Sequence, residues 1–403
     1  MEMVTLQDII AARERLRGLI LPTPLVYSNT LSRSTDREIF LKLENLQITG
    51  SFKLRGSLNK LKRLTAAGEM TGVVTASAGN HAQGVAYAAS RLGIPATVVM
   101  PQWASISKQL ATEGYGGQVI RYGEDLAAAL AKAQDLAQSG LTPIHPFDDP
   151  EVIAGQGTIG LEILADLPKV DSIVAAVGGG GLASGIAVAV KATNPQVKVI
   201  GAEASLVPAA RRALDAGHPV TVAAAATLAD GINVTCLGQH TFPLLKRYLD
   251  DLVLVSEAQI AEALLILLEK KKLLAEGAGA VPIAALLGPL QGRDLGKQVV
   301  LVISGGNIDI PLVGRVLHRG LINSRRLLTL QVVLADIPGA LGKLSALLGE
   351  QNANILHIYH DRRSRNLPLD YTRVEVDLET RGPEHCEAII QALQTAGYPV
   401  EEK

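Results

Sequence analysis

Four short segments hold the side chains best suited to chemistry, and each follows a run of strand-like residues. The first is Ser51-Phe52-Lys53-Leu54-Arg55-Gly56, directly after IFLKLENLQITG and opening a helical pattern. A lysine at a helix start beside an aromatic ring can be partly desolvated. Desolvation lowers its pKa and frees its amine to form a Schiff base with a carbonyl compound. Read alone, Lys53 fits a solvated residue on an amphipathic helix more simply. The second segment is Ser77-Ala78-Gly79-Asn80-His81-Ala82-Gln83-Gly84, after the strand-like GVVTAS. Its small residues leave backbone N–H groups facing outward at a helix N-terminus, where a carboxylate binds well, and the Asn80 amide could donate to a ligand oxygen. A capped helix with His81 in its first turn is the plainer alternative, although capping accounts for one Ser or Asn and not for the whole run.

The third segment, Gly178-Gly179-Gly180-Gly181-Leu182, lies between SIVAAV and LASGIAVAV. Successive glycines there bring several N–H groups to one point at the positive end of a helix dipole, which makes a phosphate cradle. A dinucleotide site competes for these residues. Gly178, Gly180 and Ala183 match G-x-G-x-x-A, and Glu203 ends the next strand where a ribose-binding acid would stand. A turn with no ligand is the weaker reading, because consecutive glycines lose backbone entropy without need. The fourth segment, Ser304-Gly305-Gly306-Asn307, ends QVVLVIS, and its hydroxyl lies where a ring nitrogen of a bound cofactor could reach it. Alone, it is equally a strand turning into a loop.

Such scattered segments need a frame that brings them together. Strand-like runs alternate with helical ones from about residue 39 to 310: IFLKLE, GVVTAS, ATVVM, QVIRY, SIVAAV, VKVIGAE, DLVLVS and QVVLVIS. This alternation predicts an α/β fold with parallel sheet covered by helices, in which ligands gather at the C-terminal ends of the strands. Ser172 to Val190 carries no charge over nineteen residues, yet its glycines and its strand-like start predict a buried strand, loop and helix rather than a membrane span. The basic segment GRVLHRGLINSRRLL breaks the rhythm and reads as a linker or connecting helix. After it the order strand, helix, strand, strand, helix, strand (LLTLQVVLAD, ALGKLSALLGEQ, NILHIYHDRR, YTRVEVDLET, EHCEAIIQALQTAG, YPVEE) predicts a ferredoxin-like βαββαβ unit.

Composition narrows the function classes. A chain of 403 residues with 48% hydrophobic and 19% charged residues is globular and long enough for two or three domains. The net charge of −1, spread evenly, excludes an electrostatic footprint for nucleic acid. Cys236 and Cys386 lie far apart without metal-ligand spacing, which predicts a reducing, cytoplasmic compartment without disulfides. MEMVTLQDIIAARERLRGLI reads as an amphipathic helix, not a signal peptide, and no membrane partner is expected.

SFKLRG, SAGNHAQG, GGGGL and SGGN, in this order and at these intervals, resemble the fold-type-II pyridoxal-phosphate enzymes over roughly residues 5–315. Threonine ammonia-lyases (threonine dehydratases) are the closest in pattern, with serine racemases as near relatives. The dinucleotide alternative falls, since it explains one segment of four. The resemblance implies a tryptophan-synthase-β-like catalytic domain over 1–315, with two parallel-sheet subdomains, the smaller (about 45–145) inserted in the larger. It implies pyridoxal 5′-phosphate as cofactor and Lys53 as the Schiff-base lysine. Phe52 and Gly231 would flank the ring, Asn80 would meet the ring hydroxyl, Gly178 to Leu182 the phosphate and Ser304 the ring nitrogen. Ser77 to His81 would hold the substrate carboxylate. The implied reaction is β-elimination and deamination of L-threonine to 2-oxobutanoate and ammonia, and of L-serine to pyruvate. A racemase/dehydratase and a non-catalytic amino-acid sensor are the alternatives. Serine racemases carry a second serine where Ala78 stands, so racemisation is expected to be minor. Their divalent cation uses the acid equivalent to Glu203, a carbonyl near Val207 and an aspartate. Ala209 occupies the aspartate position, so Glu203 is expected to be a strand-end carboxylate more than a metal ligand.

The C-terminal unit, 327–403 after a linker at 316–326, resembles an ACT domain through Asp336 to Leu341 and Asn352 to Ile355. That resemblance implies a homodimer or homotetramer. Gly339, Ala340 and Leu341 of one copy and Asn354 and Ile355 of another would enclose an amino-acid effector, a branched-chain one such as isoleucine or valine. A ferredoxin-like assembly unit without ligand is the alternative.

Overall fold

The computed structural model describes residues 3–68, 70–362 and 367–403, so Arg363, at the end of the run NILHIYHDRR, lies outside them. The chain divides into two compact units, Met1–Asp309 and Ile310–Lys403. In the first unit the strands are β1 (Leu25–Tyr27), β2 (Glu38–Leu43), β3 (Val73–Ala76), β4 (Ala96–Met100), β5 (Gln118–Arg121), β6 (Thr142–Pro143), β7 (Ser172–Ala176), β8 (Lys198–Ala204), β9 (Asp251–Val255) and β10 (Gln298–Ile303). They form a six-stranded sheet in the order β1-β2-β10-β7-β8-β9 and a four-stranded one in the order β5-β4-β3-β6. Every pairing is parallel except β1 with β2. All eight strand-like runs of this unit are strands. The sequence pattern missed β1 and β6, edge strands of three and two residues, too short to carry a period.

Central strands covered on both faces must be apolar throughout, which is why SIVAA in β7 is buried at every residue. The uncharged stretch after it is the helix Gly181–Thr193 inside the core, with Ile186, Ala187 and Val190 packed on Ile173, Val199 and Val300. Among the described residues no helix is long and apolar enough to cross a membrane.

Three helices position the chemistry-bearing segments by touching backbone to backbone. A Cβ on Gly155, in the helix Pro150–Asp166, would stand 2.6 Å from the Cα of Gly56 in the helix Lys53–Ala67. Nearby on the same helix, Ile153 and Gly157 meet the third one: a Cβ on Gly185 of the Gly181–Thr193 helix would stand 2.4 Å from the Ile153 carbonyl oxygen and 2.6 Å from the Gly157 nitrogen. Pro150–Asp166 is therefore a spine against which the lysine helix and the glycine-loop helix are both pressed, at separations that no larger residue permits.

The lysine helix is pinned by charge as well. Arg55, fully buried, donates through Nε and Nη2 to the two carboxylate oxygens of Glu44, at 2.8 Å each, and through Nη2 to Glu162 at 2.9 Å. Lys42 reaches Glu162 at 2.7 Å and the Thr23 carbonyl at 2.7 Å. Two cations meet two carboxylates, so no buried charge is left without an opposite one, the condition under which such a cluster is tolerable.

The second unit opens with the helix Ile310–Asn323, where the linker or connecting helix was expected; Val316 and Gly320 are its buried residues, four apart on one face. Its strands β11 (Leu327–Ala335), β12 (Asn354–Asp361), β13 (Tyr371–Glu379) and β14 (Val400–Glu402) form an antiparallel sheet in the order β12-β13-β11-β14, with helices Ala340–Glu350 and Pro383–Thr395. Alternate burial along β13 (Thr372, Val374, Val376, Leu378 inward) matches the alternation of YTRVEVDL.

Replacing Gly185 by alanine should force two backbones apart and lower stability by about 1–3 kcal/mol, as overpacking does. Gly114→Ala, where an added Cβ meets nothing within 4 Å, should be neutral or slightly stabilising in the same urea titration. Equal midpoints for the two variants would contradict the tight spine.

Candidate active site

Backbone pairing joins the turn before Lys53 to the segment after β10. Phe52 N donates to the Ser304 carbonyl at 3.0 Å, Gly306 N to the Gly50 carbonyl at 2.9 Å, and the Asn307 side-chain amide to the Thr49 carbonyl at 2.8 Å. The chain turns between these bonds at Gly50, whose φ of +71° suits a residue without Cβ. Lys53 follows at once as the first residue of its helix, with Phe52 as N-cap. Its Nζ donates to the Pro146 carbonyl at 2.8 Å and stands 5.2 Å from the centre of the Phe52 ring.

A cavity opens beside this amine. Phe52, Lys53, Asn80, Gly178, Gly179, Gly180, Gly181, Leu182, Gly231 and Ser304, all singled out from the sequence, line it together. The four glycines run from β7 into the helix that Gly181 begins, with Gly180 at φ +94°. Side chains here would collide with what lies behind the loop: a Cβ on Gly179 would sit 2.4 Å from the Phe147 ring, and one on Gly181 2.9 Å from the Phe147 carbonyl. The first N–H of this helix with an intrahelical acceptor is that of Ser184, bonded to the Gly180 carbonyl at 2.9 Å. The N–H groups before it are left for an anion at the positive helix end. An anion cradle, a half-buried amine and the buried hydroxyl of Ser304 on one cavity fit a phosphorylated aldehyde such as pyridoxal 5′-phosphate. Phe147, Pro146, Gln156 and Ile232 complete the wall and were not singled out from sequence, because they come from loops and a helix face without a motif.

Electrostatics sharpen the site. Burial pushes the Lys53 amine down to about 8, partly offset by the carboxylate of Glu276. Glu276, also on the cavity wall, is pushed up to about 7 by burial and by Asp230, against the pull of Asn80, Lys108 and Lys53. Its two oxygens accept from the Asn80 side-chain nitrogen at 2.7 and 2.8 Å. The sequence reading missed Glu276, which caps no motif and precedes the helix Gly277–Leu287. A lone acid before G-A-G-A was the only available signal.

Ser77, Ala78, Gly79 and His81 are not among the residues lining the cavity, although Asn80 between them is. The Ser77 hydroxyl accepts from Gly79 N at 3.2 Å, and Ala78 packs on the apolar cluster of Ala82, Val98, Met100 and Ala104. His81 turns its Nε2 to the Ile144 carbonyl at 3.0 Å, and burial, then the charge of Lys53, pushes its pKa down to about 3, so the ring is neutral. Glu203 is buried at the end of β8 and accepts from Ala210 N (2.7 Å) and Arg211 N (3.0 Å), closing the N-terminus of helix Ala209–Ala216. Among the described residues no group of three or more His, Cys, Asp or Glu could hold a metal ion.

In the C-terminal unit, Gly339, Ala340 and Leu341 border a cavity whose charged residues are Asp336 and Arg362, paired at 3.2 Å, with His360 beside them. Asn354 and Ile355 of the same copy do not border it, and the Asn354 amide donates to Glu379 at 3.1 Å.

Competitive acetylation of the cofactor-free protein should find Lys53 half-reactive near pH 8, where burial places its amine, well below the ordinary lysine value of 10.5. A Lys53 profile that coincides with the bulk lysines would contradict the desolvated site.

Residues 16–305 match the family model described as pyridoxal-phosphate dependent enzyme. A protein named L-threonine ammonia-lyase from Thermotoga maritima is 47% identical over 399 residues, 99% of this chain and 99% of its own. The crystal structure of a threonine deaminase from T.th. superposes with a TM-score of 0.72 at 41% identity, covering 76% of this chain and 99% of that one. Maize serine racemase gives 0.75 at 31% identity, covering 80% and 100%. A match over most of the length, with the amine, the glycine loop and the serine on one cavity, means that the chain belongs to the pyridoxal-phosphate dependent enzymes, in their fold-type-II branch.

Proposed function

We propose that this protein is a threonine ammonia-lyase: it converts L-threonine to 2-oxobutanoate and ammonia, and L-serine to pyruvate and ammonia. The observation that carries the reading is the meeting of Lys53, Gly178 to Leu182, Gly231 and Ser304 on one cavity. The high identity to a full-length relative of that name supports the substrate.

Pyridoxal 5′-phosphate, when bound, supplies an electron sink for negative charge developing at the substrate Cα. The protein's part is to bind, orient and move protons. The glycine loop would hold the phosphate, and Phe52 and Gly231 would bound the ring faces. The free Lys53 amine takes the Cα proton at Nζ, for which a pKa near the working pH is the favourable setting. Ser304 offers a neutral hydroxyl where a ring nitrogen of the cofactor would lie, a partner that would leave that nitrogen unprotonated and would favour loss of the β-hydroxyl over transamination. Ala78, where serine racemases carry a second serine, has no proton to give and packs in an apolar cluster, which argues against racemisation. Ser77 to His81 would receive the substrate carboxylate through the Ser77 hydroxyl, which accepts from Gly79 N and keeps its own proton to donate, and through backbone N–H groups of the turn, since the His81 ring faces the Ile144 carbonyl.

The βαββαβ unit after Ile310 we read as an ACT domain that senses a branched-chain amino acid in a homodimer or homotetramer. Its cavity offers Asp336 and Arg362, a negative and a positive group for the two ends of a zwitterion, beside the Gly339 turn. Control needs unequal effector affinity in two states, about 1–3 kcal/mol of coupling in typical systems. This unit, the catalytic domain before it and the cytoplasmic setting expected from the cysteines make a single regulated soluble enzyme.

A coupled assay of 2-oxo acid release should find 2-oxobutanoate as the main product from L-threonine, with D-amino acid formed at under about a hundredth of that rate, since a missing acid–base group typically removes about 10²-fold or more. Isoleucine or valine should change the threonine dependence. D-serine formed from L-serine faster than pyruvate would overturn the assignment, and unchanged kinetics with both effectors would overturn the sensing role.

A further inference from the structure

Glu276 has a place in the site that no sequence motif and no relative's name assigns. The residue is 4% exposed, and its carboxylate grips the amide nitrogen of Asn80 with both oxygens. The orientation of that amide follows from a chain of partners. The Thr49 carbonyl can only accept, so the Asn307 atom at 2.8 Å from it is the amide nitrogen. The same nitrogen lies 2.7 Å from Asn80, whose facing atom must therefore be its oxygen. The nitrogen of Asn80 then necessarily faces Glu276, which must accept. The carboxylate takes the Asn80 nitrogen with both oxygens, and Asn80 itself borders the cavity.

We propose that Glu276 is a positioning residue of the reaction. Ionised, it offers two acceptors and holds the Asn80 amide firmly at the cavity wall; protonated, it keeps a single acceptor and the hold weakens, so the site loses competence as pH falls. This rests on the pyridoxal-phosphate reading of the cavity above. Room for the carboxylate is built in: a Cβ on Gly305 would stand 2.5 Å from its Oε1, and one on Gly231 3.2 Å away. The charged groups facing it are Lys53 from the lysine helix, Asp230 from the turn before Gly231, and Lys108 from the helix Ile106–Gly114, itself paired with Asp230 at 2.7 Å. Asn80 and the Ser304 to Asn307 loop bring no titratable group, and His81 and His145 lie on the Lys53 side. Burial and Asp230 together raise the carboxyl to about 7, so the ionised form is gained as pH rises through neutrality.

The test is a pH titration of the visible absorbance of the cofactor-loaded protein, beside the pH profile of kcat/KM, for the unmodified chain, Glu276→Gln, Glu276→Asp and Gly305→Ala. The unmodified protein should give a spectral midpoint near 7 and an acid limb in kcat/KM at the same place. Glu276→Gln should lose both, Glu276→Asp should retain a displaced midpoint, and Gly305→Ala, which displaces the carboxylate without removing it, should move the midpoint by about one pH unit or more. An unchanged midpoint in Glu276→Gln of normal cofactor content would overturn the role. Absence of any visible band in the unmodified, cofactor-treated protein would overturn the cofactor reading itself, and this inference with it.

Discussion

The separation between the reactive amine and the anion cradle is set by three helices that touch through glycines. Gly56 on Gly155 and Gly157 on Gly185 leave no side chain between the backbones, so the lysine helix and the glycine-loop helix share one rigid spine. Interiors packed at this density transmit displacement rather than absorb it. A shift of the Pro150–Asp166 helix therefore moves Lys53 and the Gly178–Gly181 loop together. The ion cluster at Arg55, two residues after Lys53, removes the remaining freedom of the first turn to slide or unwind.

On that frame the site gathers groups whose charges are costly to keep. Lys53 is pushed down, Glu276 up, and His81 is kept neutral, all chiefly by burial. A pair of groups with ionisation moved toward neutrality from opposite directions is the usual mark of proton traffic rather than of structure. Glu203 shares the upward push yet stands apart, spending its oxygens on the N–H groups of a helix end. Its surroundings make it a cap, which agrees with the absence of a partner acid at Ala209.

Much of this was legible in the residues, for a reason that lies in the topology. Parallel strands of one sheet end on the same side, so the segments after β7 and β10 had to be neighbours once both runs were recognised as strands. Lys53 and Asn80 follow β2 and β3, which belong to different sheets, and only the family pattern brought them to the same cavity. The βαββαβ order of the last unit was readable because β13 alternates throughout and β11 alternates from Leu328 onward. Glu276 was not readable: it follows no strand, and its partner Asn80 lies 196 residues away. Phe147 was missed because its role is to back the glycine loop, a contact that no local spacing encodes. The carboxylate role given to Ser77 to His81 rested on outward backbone N–H groups at a helix start and on the family resemblance. The His81 ring is turned to the Ile144 carbonyl, whereas the Ser77 hydroxyl accepts from Gly79 N and keeps its proton to donate.

The account stands on Lys53 as the residue that bonds the cofactor. The measurement that addresses this most directly is reduction of the pyridoxal-phosphate-loaded protein with borohydride, followed by peptide mass mapping. The account predicts a single pyridoxyl label on the peptide that contains Phe52-Lys53-Leu54, with Lys53→Ala unlabelled. A label on any other lysine, or labelling of the alanine variant at the level of the unmodified chain, would contradict it.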